Sequence, residues 1–254
     1  MKPDVHILAT CRNPELFPAT TLVFQTLRTG FPTTRILIRG NALNPEHSNE
    51  IAGLAASIDA EFRNGEATVH HEWISYLIEN EDRPFFICDT DQMFLGSFEQ
   101  WDFSGCALAG RLIPRFFDEV TNCITFARLH TSLLYIDPKL VRAKSRRALN
   151  KLCTQSPFHL EPNLVHPATH YQHGQSYFHD TMSQLYHAIG GKAFTPAQLD
   201  RFAHLNCGTY IDLVEGRFTL ARNLRQSHRN IIKNPELANG LWRLQEDYYS
   251  QFRV

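Results

Sequence analysis

Two aspartates separated by one residue are the strongest candidates for chemistry in this sequence. Asp89 and Asp91 directly follow residues 85–88, the most apolar short segment of the chain. Ionised carboxylates beside an apolar strand are costly unless a cation or hydrogen-bond donors neutralise them. Mg²⁺ and Mn²⁺ prefer oxygen ligands and are held by one or two carboxylates together with substrate phosphates. The pattern therefore predicts a divalent-metal site, and the alternative is that both side chains only cap a turn or the next helix.

The elements that would position these carboxylates alternate along the first half of the chain. Apolar segments predict strands at 5–10, 35–39, 85–88, 106–109 and 133–136, and amphipathic segments predict helices at 14–28, 51–60 and 71–80. This alternation is typical of an open, largely parallel sheet, in which ligands bind at the carboxyl ends of the strands. We therefore expect the aspartates at that edge of the sheet.

The second half of the sequence has a different character. Residues 154–180 hold five histidines and few aliphatic residues, which predicts a long loop or an irregular insertion of the kind that carries function. Two short strands are expected at 202–206 and 209–213. The chain is expected to close with a helix capped by Asn234, with Pro235 at its first position. The apolar face of that helix would consist of Leu237, Leu241, Leu244 and Tyr248.

The composition narrows the class of protein. A length of 254 residues with 43% hydrophobic and 20% charged residues predicts one globular domain. A formal net charge of −1 gives no basic field that would favour nucleic acid as a partner. No segment has the apolar length of a transmembrane helix, and the first residues lack a signal-peptide pattern. The six cysteines are scattered without a Cys-x-x-Cys pair, which predicts free thiols and a cytoplasmic location.

The segment from Phe85 to Phe98 resembles a known family signature. A hydrophobic strand, Asp89-Thr90-Asp91, further apolar residues and Gly96-Ser97-Phe98 follow the pattern of GT-A glycosyltransferases. The segment is most similar to the retaining family that includes glycogenin and bacterial lipopolysaccharide galactosyltransferases. Residues 132–137 are similar to that family's Asn-Ala-Gly-Val-Leu-Leu-Ile-Asp strand, but His130-Thr131-Ser132 replaces the Asn-Ala-Gly that flanks the sugar site. The similarity extends over residues 4–140.

This resemblance implies both a fold and an activity. The fold would be a single α/β domain over residues 1–254, built on a Rossmann-like open mixed sheet with flanking helices and Asp-x-Asp at a strand end. Residues 1–140 would form the nucleotide-sugar-binding core, 141–233 the acceptor side with an insertion, and 234–254 a C-terminal helix. The activity would be transfer of a sugar, a hexose by analogy, from a nucleoside-diphosphate sugar to a saccharide or other hydroxyl acceptor, with Mn²⁺ or Mg²⁺ as cofactor.

The resemblance also implies roles for individual residues. Asp89 would face the ribose and the metal, Asp91 would bind the metal, and Thr90 would lie between them in the donor site. Thr10 and Arg12, at the end of the first strand, would meet the base or a phosphate. The third metal ligand of the family is a histidine in a His-x-x-Gly-x-x-Lys context. The nearest match is His204, with one extra residue before Gly208 and no matching lysine, and His228 competes with it.

Several alternatives remain open on the sequence alone. Asp180 resembles a late Asp-Gln motif near the acceptor and is a catalytic candidate. Asp118 and Glu119 are equally available as a base beneath the acceptor hydroxyl, so retention or inversion of the anomeric configuration is undecided. The histidines of the 154–180 segment offer a zinc site as a separate hypothesis. They are His159, His166, His170, His173 and His179.

Other classes of protein share parts of these patterns. Phosphatases of the haloacid-dehalogenase type carry Asp-x-Asp on their first strand, whereas here it falls at position 89. Sugar-nucleotide pyrophosphorylases have a glycine-rich loop after the first strand, where this chain has Thr10-Cys11-Arg12-Asn13-Pro14. A GT-A module that binds a nucleotide sugar or a partner without turnover is the alternative outside enzymes.

Overall fold

A computed structural model describes residues 2–10, 17–118, 122–152, 165, 167–205, 231 and 233–254. The strands of these residues are β1 (Asp4–Ala9), β2 (Ile36–Asn41), β3 (Glu61–Gly65), β4 (Phe85–Cys88), β5 (Gln92–Phe94), β6 (Leu108–Ile113), β7 (Phe116–Asp118), β8 (Cys123–Thr125), β9 (Arg128–Ile136), β10 (Ala168–Gln172), β11 (Gln175–His179), β12 (Lys192–Ala193) and β13 (Phe202–His204). Their helices are α1 (Phe17–Gly30), α2 (Pro45–Ser57), α3 (His70–Asn80), α4 (Pro138–Leu152), α5 (Ser183–Ile189), α6 (Pro196–Leu199) and α7 (Leu241–Gln251).

A seven-stranded mixed sheet with the order β12-β6-β9-β4-β1-β2-β3 forms the centre of the fold. β1 pairs in parallel with both β2 and β4, whereas β9 runs antiparallel to both β4 and β6. The predicted fold class, an open mixed α/β sheet with flanking helices, is confirmed. The sequence pattern alone suggested a largely parallel sheet. The strand β9 is an exception, since it lies between β4 and β6 and runs antiparallel to both.

The sheet topology brings several chain segments to one edge. The strand order reverses at β1, whose neighbours are β2 on one side and β4 on the other. Open α/β sheets bind their ligands at such a switch point, beyond the carboxyl ends of the strands. Because β9 is antiparallel, its amino-terminal half lies at this same edge. The residues that follow β1 and β4 therefore meet the first residues of β9 there.

Different helices cover the two faces of the sheet because its side chains alternate. On one face, Val5 and Ile7 of β1 belong to a core that includes apolar residues of α1 and α2. On the other face, Leu8 of β1 packs with Trp73 and Ile74 of α3 in a second core that extends to α4 and α5. The sheet is thus buried on both sides around β1 and β4.

A cluster of aromatic rings fills the first core beneath the Asp-x-Asp segment. Phe98 lies at its centre, 1% exposed, with ring centroids 5.5 Å from Phe194 and 5.6 Å from Phe202. Phe94 of β5 contacts the same ring at 6.2 Å. We refer to these rings as the phenylalanine cluster, which consists of Phe31, Phe86, Phe94, Phe98, Phe194 and Phe202. The cluster anchors β5 and β13 to the main sheet.

The histidine-rich segment contains regular structure that the sequence analysis did not predict. β10 and β11 form an antiparallel hairpin with Gln172 opposite Gln175. The two residues between them, His173 and Gly174, both have positive φ, at 51° and 81°. A two-residue turn of this kind matches the twist of paired strands, and glycine adopts it without a steric penalty. The prediction of an irregular loop is therefore wrong for residues 168–179.

The C-terminal segment differs from the single helix that was predicted. Residues Pro235–Ala238 form a 3-10 turn, and α7 begins only after Gly240, which has a φ of 72°. This break rotates the second segment relative to the first. Leu241 is consequently buried at 3% exposure, whereas Leu237 and Leu244 are 52% and 62% exposed. The predicted strand at 209–213 and the residues before 17 in the predicted first helix lie outside the described residues.

None of the helices in the described ranges has the length and apolar character that crossing a lipid bilayer requires.

The buried histidine of β1 gives the stability of the protein a defined pH dependence. Burial lowers the pKa of His6 to about 4, and the nearby positive charge of Arg35 contributes. The unfolded chain binds this proton near pH 6.5, so the group costs stability as pH falls from 6.5 towards 4. We expect urea unfolding of the wild type to lose about 2 kcal/mol through this group between pH 7 and 5. The variant His6→Leu should lack that part of the loss.

The range above pH 7 serves as a control, because position 6 there binds almost no proton in the wild type and none in His6→Leu. The difference in unfolding free energy between the two proteins should be constant from pH 7 to 8 and change only below that range. An equally steep loss of stability in both proteins between pH 7 and 5 would contradict the assignment.

Candidate active site

The two carboxylates lie in a tight turn between β4 and β5. The backbone N–H of Asp89 donates to the carbonyl of Ser132 on β9, at 2.9 Å, and the N–H of Gln92 donates back to the carbonyl of Asp89, at 3.2 Å. The side chains are partly exposed, at 31% for Asp89 and 14% for Asp91. Thr90 is half-buried in the same turn. The turn therefore presents both carboxylates at the edge where β1 and β4 end.

A short antiparallel pair brings a histidine to these aspartates. β5 and β13 pair with His204 opposite Gln92, and the N–H of Leu205 donates to the carbonyl of Asp91 at 2.8 Å. The His204 Nε2 atom lies 3.2 Å from Asp91 Oδ1. Each of Asp89, Asp91 and His204 offers one ligand atom, and these atoms all lie within 4.8 Å of one another. The structure thus brings together the three residues to which the resemblance assigns metal binding.

The electrostatics of the turn suit a cation. Burial raises the pKa of Asp89, and the negative charges of Asp91 and Asp180 raise it further, against the opposing effect of His70. Two neighbouring carboxylates in a partly desolvated site repel each other unless a positive charge lies between them. Two carboxylates and an imidazole form a donor set that Mn²⁺ and Mg²⁺ accept. The residues present therefore fit the divalent metal that the sequence analysis predicted.

Two further histidines, which the sequence analysis did not assign to the site, lie next to it. His70 begins α3, and its Nε2 lies 3.6 Å from Asp89 Oδ1. This nitrogen atom is buried, and among the residues that the structure describes it has no hydrogen-bond partner. The ring of His130 on β9 lies 4.8 Å from the ring of His204. Burial lowers the pKa of His130 well below its usual value, and His204 and Arg128 lower it further. Two imidazoles therefore lie beside the carboxylates, and a third, that of His130, packs against His204.

Topology explains why these histidines escaped the sequence analysis. α3 follows β3, so it begins at the edge where the parallel strands end, and this places His70 beside Asp89. His130 reaches the same edge because β9 is antiparallel and begins at Arg128, five residues before the strand that the apolar pattern predicted. The available signal was the order of strands and helices rather than any local motif.

Asp180 follows the hairpin and is held by a buried arginine. Arg128 Nη2 lies 2.7 Å from Asp180 Oδ2, with the two side chains 11% and 37% exposed. The backbone N–H of Thr181 donates to Asp180 Oδ1 at 2.7 Å. Because Arg128 and His130 are two residues apart on β9, they share one face of the strand. The carboxylate of Asp180 is therefore fixed close to the candidate metal site and within range of the charge on Asp89.

The remaining residues that the sequence analysis singled out have different outcomes. Thr10 is exposed just beyond β1, at the same edge of the sheet. Arg12, Glu119 and His228 lie outside the described residues. Asp118 ends β7 and is buried, at 8% exposure.

The histidines of the hairpin form a ring stack. The ring of Phe126 lies 4.1 Å from that of His179 at an angle of 14°, and His170 stacks 5.4 Å from Tyr177. The Arg115 guanidinium lies 5.7 Å from the centre of the Phe126 ring. Within the described ranges, the group with metal-ligand spacing is Asp89, Asp91 and His204. Of the zinc hypothesis, His159 and His166 lie outside those ranges. His170 and His179 pack against the ring of Phe126, and His173 is exposed in the turn of the hairpin.

A buried amide beside the carboxylates has no partner. Gln92 is fully buried, and within the described residues neither its Oε1 nor its Nε2 has a hydrogen bond. A buried polar group left in this state costs about 1–3 kcal/mol. Such groups are few in native structures, and this one directly follows the Asp-x-Asp turn.

Comparison with known proteins gives matches to solved structures. No protein-family model matches the sequence, and no curated protein matches it. The mannosyltransferase PcManGT from Pyrobaculum calidifontis, solved with GDP-Man and Mn²⁺, is 11% identical with a TM-score of 0.47, over 94% of this chain and 66% of that one. A cytidylyltransferase from Leptospira borgpetersenii is also 11% identical, with a TM-score of 0.45, over 94% of this chain and 98% of that one.

The glycosyltransferase GlyE from Streptococcus pneumoniae TIGR4, in its apo form, is a third similar structure. It is 11% identical with a TM-score of 0.42 over 77% of this chain, and this chain spans only 45% of the GlyE chain. Glycosyltransferases are therefore among the structures that this chain is similar to, as the sequence resemblance predicts. Because these TM-scores are below 0.5 and one match is a cytidylyltransferase, the likeness does not identify an activity.

Proposed function

We propose that this protein is a metal-dependent glycosyltransferase, which transfers a hexose from a nucleoside-diphosphate sugar to a hydroxyl acceptor. One observation carries the proposal. Asp89, Asp91 and His204 offer ligand atoms within 4.8 Å of one another at the edge where β1 and β4 end. A divalent cation held there would still have coordination positions available for substrate phosphates.

Each candidate residue of the donor site has a part in binding the donor. Asp91 and His204 would hold the metal, and Asp89 would contact the metal and the ribose. Thr10, Arg12 and Thr90 contribute contacts to the base and the diphosphate. The bound cation supplies positive charge that stabilises the leaving diphosphate. His204 is pre-oriented for this role because Asp91 lies 3.2 Å from its Nε2 and because β13 is paired to β5.

Asp180 is the residue that we place on the acceptor side. Its carboxylate is fixed by Arg128 at 2.7 Å, so it has one defined position relative to β9. There it orients an acceptor hydroxyl or accepts the proton that the hydroxyl loses. A fixed carboxylate of this kind contributes by positioning the reacting oxygen and by general base catalysis.

Release of nucleoside diphosphate tests the proposed function. The wild type should release diphosphate from one of UDP-glucose, UDP-galactose or GDP-mannose in the presence of Mn²⁺, with water or a mixture of saccharides as acceptor. The variant Asp91→Asn should lose this release. The matched control is Asp82→Asn, because Asp82 is 78% exposed and its ion pair within the described residues is with Arg142.

The outcomes separate the proposal from its main alternative. Binding of a sugar nucleotide without any release would favour a GT-A module that has lost turnover. Release that persists in Asp91→Asn at the wild-type rate would contradict the assigned role of the carboxylates.

A further inference from the structure

A cavity of about 1010 Å³ lies beside α3, on the face of β2 and β3 that α2 does not cover. These two strands form its floor, and α3 forms a wall that includes Trp73 and Tyr76. Ile36 of β2 belongs to the core on the opposite face, together with residues of α2. Because side chains alternate along a strand, Leu37 and Arg39 face the cavity instead. A space of this size is sufficient for a small-molecule ligand.

Two arginines lie side by side on the floor of this cavity. Arg39 of β2 and Arg63 of β3 are partners in the parallel register, so their side chains project from the same face. Like charges directly opposite each other on neighbouring strands are destabilising. Among the residues that the structure describes, neither arginine has an ion pair. An anion in the cavity would therefore relieve the repulsion between them.

The guanidinium group of Arg39 uses few of its hydrogen-bond donors. Its Nη2 donates to the backbone carbonyl of Glu66 at 3.3 Å. Its Nε is buried, and across the described ranges this atom has no hydrogen-bond partner. The group packs against Gly65, where an added Cβ would lie 2.8 Å from Nε. An arginine carries five N–H donors, so this side chain can bind an anion while it keeps its contact with the backbone.

The other end of the cavity carries carboxylates. Glu61, the first residue of β3, and Glu81, directly after α3, both line it. Glu61 is held in place by Arg35, whose Nε lies 2.6 Å from its Oε1. Glu61 precedes Arg63 by two residues on the same strand, which separates the two positions by about 7 Å. The cavity thus has a cationic end and, at the length of a sugar, an end that accepts hydrogen bonds from hydroxyl groups.

We propose that this cavity is a second small-molecule site, which binds a phosphorylated sugar without a metal ion. A phosphate monoester carries a charge of about −1.5 to −2 at pH 7, which matches two guanidinium groups. Arginine also binds phosphate through pairs of parallel hydrogen bonds. The sugar then lies against Tyr76, which is 56% exposed, and its hydroxyl groups reach the carboxylates at the other end.

The site is distinct from the Asp-x-Asp turn and does not depend on the proposed function. Arg39 and Arg63 lie on the second and third strands from β4, which places them about 10 and 14 Å from the strand that Asp89 follows. A free sugar phosphate and a nucleoside monophosphate both present the required phosphate and hydroxyl groups. The experiment distinguishes these two sources.

Calorimetric titration in EDTA tests the inference, because the chelator removes the metal that the donor site would need. The ligands are glucose 6-phosphate, UMP and inorganic phosphate. The proteins are the wild type, Arg39→Gln, Arg63→Gln and Asp91→Asn. The matched control is Arg243→Gln, which removes the same charge from an exposed arginine that pairs with Asp200 at 2.8 Å. The melting temperature of each free variant reports whether it is folded.

The wild type should bind glucose 6-phosphate or UMP more tightly than inorganic phosphate. Arg39→Gln and Arg63→Gln should each weaken this binding roughly 10-fold or more, because each loses charge-assisted hydrogen bonds. Asp91→Asn and Arg243→Gln should bind within about twofold of the wild type, because both sites are distant from the cavity. Tighter binding of UMP would assign a nucleoside monophosphate, whose base stacks on Tyr76, and tighter binding of glucose 6-phosphate would assign a free sugar phosphate.

Three results would overturn the inference. The first is that neither phosphorylated sugar binds the wild type in EDTA. The second is unchanged binding by folded Arg39→Gln and Arg63→Gln. The third is loss of binding in Asp91→Asn, which would place the ligand at the donor site. None of these results bears on the proposed function, which is tested separately by Mn²⁺-dependent release of nucleoside diphosphate.

Discussion

Replacing Asp91 with asparagine is expected to weaken Mn²⁺ binding by at least about 100-fold. Removing an outer-shell partner of a metal ligand costs 10- to 100-fold in affinity, so loss of a ligand charge should cost at least the upper figure. The side chain is only 14% exposed and faces His204, so little room remains for water to take its place as a ligand. Mn²⁺ binding in the presence of a nucleoside diphosphate can be followed by the loss of the free-ion EPR signal.

The fold should survive this substitution. Asparagine has the shape of aspartate, and it removes the negative charge that contributes to raising the pKa of Asp89. The surface variant Asp82→Asn should bind Mn²⁺ like the wild type. Retention of wild-type Mn²⁺ affinity by folded Asp91→Asn would show that the metal binds elsewhere.

Truncation of Phe98 is expected to lower the free energy of unfolding by about 3–5 kcal/mol. Phe→Ala in a packed core loses the burial of the ring and leaves a cavity. Phe98 is 1% exposed, and its ring contacts the five other rings of the phenylalanine cluster and the ring of Trp101. Its backbone N–H also donates to the carbonyl of Gly30. Urea unfolding of Phe98→Ala against the wild type measures the loss.

The same substitution should also weaken the metal site, because the cluster holds β5 and β13 in place. Phe94 and Phe202 are paired residues of these two strands, and both contact Phe98. The control is Leu244→Ala, whose side chain is 62% exposed and should change stability by less than about 0.5 kcal/mol. A loss below about 1 kcal/mol in Phe98→Ala would contradict the packing described for the cluster.

The sequence predicted those parts of the fold that local patterns determine. The run of apolar residues at 85–88 forms β4 with the predicted bounds, because a fully buried strand needs continuous apolarity. The helix at 71–80 begins one residue earlier than predicted, within the usual uncertainty of helix ends. The helix expected at 51–60 begins instead at Pro45, because Asn44 caps it and accepts from the N–H of His47.

Features that depend on long-range pairing were not predictable in the same way. The approach of His204 to Asp91 requires β13 to pair with β5 across more than 100 residues, and the motif around His204 matches the family pattern poorly. The ion pair of Arg128 and Asp180 likewise joins two distant strands. The hairpin at 168–179 escaped notice because its strands lack aliphatic residues in an alternating pattern, although Thr169, Tyr171, Tyr177 and Phe178 have high strand propensity.

The most direct test of the account is thermal unfolding of wild type and Asp91→Asn with nucleoside diphosphates and Mn²⁺, alone and together. A ligand that binds only the native state stabilises it by mass action, by about 2.7 kcal/mol when its concentration is 100 times its dissociation constant. For a chain of this size, that gain raises the melting temperature by roughly 5–10 °C. The account predicts that UDP or GDP raises the melting temperature of the wild type in a Mn²⁺-dependent manner, and that Asp91→Asn lacks this increase. The absence of any Mn²⁺-dependent shift with every nucleotide, or an equal shift in both proteins, would contradict a donor site at Asp89, Asp91 and His204.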